Sequence, residues 1–135
     1  MSIEIFKAGS RPSERMPSTY FTGGVWRDPI INSSEPAQTQ VFQVRFEAGA
    51  RTYWHTHPVE QTLHVMSGLC RFQAAGEPVV ELRTGDTIVI PPQVKHWHGA
   101  SPDADMVHLV VLAASPGADV DWMEPVSDGE YARDP

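Results

Sequence analysis

Proline and glycine interrupt this chain so often that they leave little room for a long helix. The 135 residues include 12 prolines and 10 glycines, and proline fixes the backbone φ angle and lacks an amide donor, so it ends helices. The segments between these residues alternate in polarity or are rich in Val, Ile, Phe and Thr, which is typical of strands. The sequence therefore predicts an all-β fold.

Apolar and polar residues alternate along residues 41–46, as on a strand with one buried face. Residues 106–112 are apolar on both faces except at His108, so this strand should lie in the middle of a sheet. Further strands are predicted at residues 61–66, 69–73 and 87–90, the first two joined by a hairpin at Ser67-Gly68. Strands at this spacing predict a closed barrel or a two-sheet roll.

The length of the chain fits a single domain. Residues 1–40 have little periodicity, and we expect them to form an N-terminal arm that adds an edge strand or covers a neighbouring subunit. Residues 41–115 should form the barrel core. Residues 116–135 form a C-terminal segment, in which the capping-box spacing from Ser127 to Glu130 predicts a short helical turn.

Charge and cysteine content narrow the possible partners. The formal net charge is -7 with scattered basic residues, which argues against nucleic acid and anionic membranes because phosphate binding needs clustered Lys and Arg. Cys70 is the only cysteine, so an intrachain disulfide and thiolate-rich metal sites are excluded. No leader-like or membrane-spanning apolar run is present. We expect a cytoplasmic protein with a small-molecule partner.

Two histidines one residue apart, His55 and His57, indicate a metal site. Side chains at positions i and i+2 of an extended segment point to the same face, so both imidazoles can reach one ion. A third histidine from residues 95–98 and the side-chain carbonyl of Gln61 would complete a nitrogen-rich shell. Such a shell suits a transition metal better than calcium or magnesium.

These segments resemble the two motifs of the cupin superfamily. The positions of the first motif are occupied by Gly49, His55, His57, Gln61 and Gly68. Those of the second are occupied by Gly85, Pro91, Gln93, His96 and Ala100, where the family has glycine at the third and asparagine at the last position. The resemblance implies a single-domain jelly-roll β-barrel that holds a metal with His55, His57, Gln61 and His96. The family usually has Glu in place of Gln61.

A narrower resemblance removes that discrepancy. Residues 51–58, 61–63, 95–100 and 120–124, with Glu130-Tyr131, are similar to small bacterial cupins that include manganese-dependent hydroxynitrile lyases. Those enzymes are similar in having three histidines and one glutamine on the metal. The resemblance implies a Lewis-acid lyase that cleaves or forms cyanohydrins, with manganese as the expected metal and iron, nickel or zinc as alternatives.

A proton-transfer group and an apolar pocket should accompany such a metal. Either His98 or His108 could transfer the proton, since His98 shares strand parity with His96 and His108 lies on a strand expected to line the barrel. His64 alternates away from the site and should lie outside it. The expected pocket is Phe42, Val44, Thr52, Leu63, Val65 and Leu112, with Met106 and Val110 on the same wall.

Two other functional classes remain open at this level. With iron or nickel, the same shell could serve a dioxygenase or an isomerase, and a chain that turns nothing over could be a binding module for a metal or small ligand. Similar cupins form dimers or tetramers, so we expect a homodimer or homotetramer.

Overall fold

The computed structural model describes residues 3–31, 39–113 and 119–135. These residues form strands and one short helix, as the all-β prediction requires. The elements are β1 Glu14–Arg15, β2 Phe21–Thr22, β3 Val25–Ile31, β4 Thr39–Phe46, β5 Arg51–Thr52, β6 His55–Thr56, β7 Gln61–Ser67, β8 Cys70–Ala74, β9 Val80–Leu82, β10 Thr87–Ile90, β11 His96–Ala100, β12 Met106–Ala113, β13 Asp121–Trp122 and α1 Asp128–Tyr131.

The first sheet has the strand order β1-β3-β4-β12-β7-β10. Strand β12 pairs with β4 on one side and with β7 on the other, which is the central position that its two apolar faces predicted. His108 lies opposite Val44 on β4 and Val65 on β7. The side chains of His108, Val44 and Val65 therefore all point into the space between the sheets.

The second sheet has the order β13-β6-β11-β5-β2, and β8 pairs with both β11 and β9. Apolar residues from both sheets form one cluster, which includes Phe42, Phe46 and Leu63 from the first sheet and Phe72 from the second. Removing these side chains from water is the main favourable contribution to folding. The core thus lies between two antiparallel sheets, as in a jelly roll.

The predicted hairpin at Ser67-Gly68 is wrong. Strand β7 belongs to the first sheet and β8 to the second, so these residues carry the chain across the barrel. Gly68 has a φ of 77°, and a Cβ atom there would collide with the backbone of Asp105 and Met106. A turn signal identifies where the chain reverses, but not which sheet receives it.

The N-terminal segment contributes more than the expected arm. Strand β3 pairs with β4 from Val25 to Ile31 and has β1 on its other side, so the barrel begins well before residue 41. Strand β2 joins the second sheet by pairing with β5. The predicted boundaries near residues 40 and 115 lie beside or within stretches outside the described residues.

The predicted helical turn is confirmed. Helix α1 has Ser127 as its N-cap, and the side chains of Ser127 and Glu130 each bond to the backbone amide of the other. This reciprocal capping satisfies amides that a helix start otherwise leaves unpaired. No helix among the described residues is long and apolar enough to cross a membrane.

Candidate metal centre

A cavity of about 330 Å³ lies between the two sheets. Its walls combine imidazoles with apolar and aromatic side chains, a composition common in small-molecule sites. The lining residues are Met16, Phe21, Arg27, Gln40, Phe42, Val44, Phe46, Thr52, His55, His57, Gln61, His98, Val110, Leu112, Asp119, Val120 and Trp122.

The pairing of β6 with β11 brings three buried histidines together, of which His55 and His98 line this cavity and His96 lies beside them. His96 lies directly opposite His55 in the register of these strands, and His98 shares the face of His96. Ligand atoms of His55, His96 and His98 all lie within 4.8 Å of one another, so this group could hold a metal ion. The predicted meeting of the two histidine motifs therefore occurs.

The backbone fixes which nitrogen of two of these rings is available. Nδ1 of His55 lies 2.8 Å from the carbonyl oxygen of Tyr53, and Nδ1 of His96 lies 2.8 Å from that of Val94. A carbonyl only accepts hydrogen bonds, so each Nδ1 must carry the proton. Each Nε2 then presents a lone pair, and that of His96 is buried without a hydrogen-bond partner. Metal-binding histidines are commonly oriented in this way.

His57 and Gln61 lie at the same cavity. The His57 ring centroid is 5.0 Å from that of His55 and 5.7 Å from that of His96. Both ring nitrogens of His57 and the Oε1 atom of Gln61 are buried with no hydrogen-bond partner among the described residues. Buried polar atoms are costly unless they are paired, and lone pairs that converge on one space fit a cation. This donor set fits a divalent metal.

A backbone hydrogen bond from a residue of the second motif holds the main chain at His57. The amide of Gln93 donates to the His57 carbonyl oxygen over 2.8 Å. Gln93 has a φ of 65°, the left-handed region that favours glycine, at the position where the family motif has glycine. The turn before β11 thus keeps its shape although glutamine replaces glycine.

The two candidates for proton transfer contact each other. Nε2 of His108 lies 3.1 Å from Nδ1 of His98, and Phe46 packs against both rings. His98 lines the cavity, whereas His108 lies behind it and is fully buried. The His98 amide donates to Thr52 Oγ1 over 3.2 Å. Strand parity predicted that both rings point inward, but not that they bond to each other.

All five buried histidines are shifted toward the neutral form. Burial lowers the pKa of His57 to about 4, with a further contribution from His96, and burial lowers the pKa of His108 to about 4. Burial also lowers the pKa of His55, His96 and His98, with neighbouring imidazoles adding to the effect for His55 and His98. Neutral imidazoles can offer lone pairs to a metal or accept a proton.

The predicted pocket is only partly correct. Phe42, Val44, Thr52 and Leu112 line the cavity, as does Val110. Leu63, Val65 and Met106 do not line it: each is fully buried in the apolar core. Their strand parity is inward as predicted, but their side chains are packed within the apolar cluster rather than exposed to the cavity.

Sequence reasoning missed the contribution of the chain ends to the cavity. Met16 and Phe21 from the N-terminal segment and Val120 and Trp122 from the C-terminal segment line it. Residues 120–124 carry part of the family resemblance, which was the available signal. Their pairing with β6 spans a long stretch of sequence and could not be inferred from local spacing.

Comparison with known proteins identifies the family. Residues 42–112 match the family described as Cupin domain, and the chain belongs to it. The chain is 44% identical over 131 residues to a protein of Granulicella tundricola named (R)-mandelonitrile lyase, covering 97% of this chain and 100% of that one. The resemblance to cupins, including those with lyase activity, is thereby confirmed.

Solved structures show the same fold. A cupin-like protein from Thermotoga maritima has a TM-score of 0.83 at 39% identity, covering 96% of this chain and 95% of that one. The polyketide cyclase RemF from Streptomyces resistomycificus has a TM-score of 0.76 at 17% identity, with coverage of 96% and 91%. The second likeness concerns the fold alone.

Acidification should destabilise the metal-free protein between about pH 6.5 and about pH 4. Histidine in an unfolded chain binds a proton below about pH 6.5, whereas folded His57 and His108 do so only near 4. The unfolded state therefore binds more protons in this window, and the free energy of unfolding falls by about 1.4 kcal/mol per pH unit for each such histidine. Urea unfolding in the presence of a chelator measures this slope.

Two variants provide the comparison for this measurement. His108→Gln should show a smaller slope, because one buried histidine is removed. His64→Gln should keep the original slope, because His64 lies outside the cavity and bonds to Thr87 over 2.8 Å. A free energy of unfolding that does not change with pH in this window would contradict the prediction.

Proposed function

We propose that this chain is a metal-dependent lyase of the hydroxynitrile lyase type. The observation that carries the proposal is the set of buried, unpartnered acceptor atoms beside a neutral histidine pair in a largely apolar cavity. The relative named (R)-mandelonitrile lyase supports the reaction class. Cyanohydrin cleavage requires removal of the hydroxyl proton, is assisted by a Lewis acid on the oxygen and needs no redox partner.

The proposed ligands are His55, His57, Gln61 and His96. Three of them carry buried acceptor atoms with no other partner, and His55 has its Nδ1 proton held by a carbonyl so that Nε2 is available. When bound, a divalent ion, for which we propose manganese, would supply Lewis acidity toward a substrate oxygen. A neutral glutamine in place of a glutamate leaves one more positive charge on the site, which favours that role.

His98 could also act as a ligand, since it belongs to the group of three whose donor atoms lie within 4.8 Å. We favour proton transfer for His98 because no nitrogen of His98 is among the buried atoms without a partner, whereas His57 and Gln61 both contribute such atoms. If His98 were the ligand instead of His57 and Gln61, the buried atoms of those two residues would stay unpaired. That would cost more free energy than leaving His98 with its hydrogen bond to His108.

In cleavage, His98 Nε2 would accept the proton of the substrate hydroxyl. The bond between the carbinol carbon and the nitrile carbon breaks, its electron pair leaves with cyanide, and the oxygen forms the carbonyl of an aldehyde or ketone. His98 then returns the proton to cyanide, which departs as hydrogen cyanide. Its lowered pKa keeps His98 unprotonated and ready to accept at neutral pH.

His108 would act through His98 as a positioning residue. Only one proton lies between His98 Nδ1 and His108 Nε2 in the neutral pair. If His98 donates it, His98 Nε2 is a base; if His108 donates it, His98 Nε2 carries a proton and is an acid. His98 Nε2 is thus a base in one neutral tautomer of the pair and an acid in the other, and the pair carries one positive charge while it holds the substrate proton.

The metal-loaded protein is expected to release cyanide from mandelonitrile without consuming oxygen. The chelator-stripped protein should lose this activity, and adding manganese back should restore it. Parallel assays under air and under nitrogen, with an oxygen electrode and a panel of diketones and catechols, test the alternatives. Oxygen uptake without cyanide release would favour a dioxygenase, and ligand binding without turnover would favour a binding module; either result contradicts the lyase proposal.

Metal content separates the two possible ligand sets. His57→Ala should lose the metal, because a proposed ligand is removed, whereas His98→Ala should keep it and slow cleavage by about 100-fold to 10,000-fold. His64→Ala, outside the cavity, should change neither. Elemental analysis of protein purified without a histidine tag gives the result. Metal loss in His98→Ala with retention in His57→Ala would establish the other set of three histidines.

We also propose that the chain assembles with copies of itself. Ile3 and Ile5 are 89% and 79% exposed, and Val89 is 53% exposed on the edge strand β10. Contact with a second copy would remove such side chains from water. Light scattering is expected to give a dimer or tetramer of the 14.9 kDa chain, and a monomer at micromolar concentration would contradict this.

A further inference from the structure

Within the C-terminal segment, residues 119–131 form a stretch that contributes one wall of the cavity, and "the segment" means this stretch below. Asp119, Val120 and Trp122 are among the lining residues. Strand β13 pairs with β6 so that Trp122 lies directly opposite His55. A segment outside both cupin motifs thus contacts a proposed metal ligand.

The Trp122 indole is held between two other rings. It stacks on Tyr20 with a centroid distance of 4.7 Å and an interplanar angle of 10°, and its centroid lies 4.8 Å from that of His55. Phe21 meets it edge-on at 5.3 Å. Aromatic contacts on several sides leave the indole little freedom to turn, so the wall that it forms is rigid.

Main-chain pairing extends this attachment along the segment. The Trp54 amide donates to the Glu124 carbonyl oxygen over 3.0 Å, and the Met123 amide donates to the Trp54 carbonyl oxygen over 2.8 Å. Lys95 forms an ion pair with Glu124 at 2.7 Å. The segment therefore behaves as an added strand of the second sheet.

Two buried arginines fix the far end of the segment. Arg51 donates to the Val126 carbonyl oxygen over 3.0 Å and pairs with Asp128 at 2.7 Å, while its guanidinium lies 4.5 Å from the ring of Tyr131. Arg71 donates to the Tyr131 carbonyl oxygen over 3.2 Å. Buried arginines are rare unless most of their donors are paired. Here the segment supplies Val126 and Asp128 to Arg51 and Tyr131 to Arg71.

We propose that Trp122 is a specificity-determining residue that favours a flat, aromatic substituent on the reacting carbon. Among the phenylalanine and tryptophan residues that line the cavity in the described part of the chain, Trp122 is the one with a ring contact to His55. A molecule held beside His55 and His98 is therefore within reach of the indole. This assignment rests on the proposed function for its reaction, but the preference for flat rings can be measured without that reaction.

Edge-to-face contact explains the direction of the preference, because Tyr20 and His55 already cover the faces of the indole. Contacts between aromatic rings, edge-to-face ones included, favour binding by about 2-fold to 12-fold beyond the burial of apolar area. A puckered or branched group of similar size gains the burial but not this ring contact. The fixed indole also loses no side-chain freedom when a ring packs on it, so little of this gain is offset.

Binding to the metal-free protein gives the first test. Isothermal titration should show that the wild-type chain binds benzyl alcohol about 2-fold to 12-fold more tightly than cyclohexylmethanol, which has a puckered ring of similar size. Trp122→Leu should lose this preference, and Trp122→Phe should keep part of it. Trp26→Leu, which changes a tryptophan that is not among the lining residues, should keep all of it.

Turnover by the metal-loaded protein gives the second test. The ratio of kcat/KM for mandelonitrile to that for acetone cyanohydrin should fall by about 2-fold to 12-fold in Trp122→Leu, with metal content unchanged because the Tyr53 carbonyl still orients His55. Circular dichroism checks that each variant is folded, and Trp122→Phe carries the test if Trp122→Leu is not.

The outcomes distinguish this proposal from the lyase proposal. Loss of the benzyl alcohol preference in Trp122→Leu supports the assignment even if no cyanide is released from any substrate. An unchanged preference in Trp122→Leu, or no binding of benzyl alcohol by the wild-type chain, overturns it even if the protein proves to be a lyase.

Discussion

The pairing of β6 with β11 is the interaction on which the site depends. In this register His55 and His96 lie directly opposite each other, and a shift by one residue would turn one of the two rings to the other face of the sheet. The same strands hold His98 beside the cavity and provide the edge on which the C-terminal segment pairs. One register therefore assembles the proposed ligands, the proposed proton carrier and one wall of the cavity together.

The site costs stability that the rest of the barrel must provide. Several imidazole nitrogens and a glutamine oxygen are buried without a hydrogen-bond partner among the described residues, and each such group is expensive to remove from water. The compensation lies in the apolar cluster between the sheets. It also lies in the hydrogen bonds and ion pairs that buried Arg51 and Arg71 form with backbone carbonyls and with Asp128 and Glu81. Buried polar groups without hydrogen-bond partners are expected at a functional site.

Local spacing explains which features could be predicted from the sequence. The central position of β12, the capped helix and the inward direction of His55 and His57 depend on neighbours within a few residues, and these features are present in the structure. The crossing at Ser67-Gly68 was mistaken for a hairpin because sheet membership depends on distant partners.

Strand parity predicts which face of the sheet a side chain points to, but not how deeply it is buried or which side chains it contacts. Leu63 and Val65 point inward as expected, yet they are fully buried in the apolar cluster and do not line the cavity. His98 and His108 were separate candidates because nothing in the sequence places one ring against the other. The place of Trp122 in the cavity wall could not be predicted, because its contact with His55 joins two segments far apart in the chain.

The sequence distance between His55 and Trp122 affects the order in which the cavity forms during folding. The segment with His55 and His57 is synthesised long before residues 119–131, and contacts between such distant segments form late and slowly. Until the later strand arrives, the histidines are open to solvent on the side that Trp122 will cover. The proposed ligands would then be open to any transition ion while the chain folds, so the supply of metal during synthesis would influence which ion the finished barrel encloses.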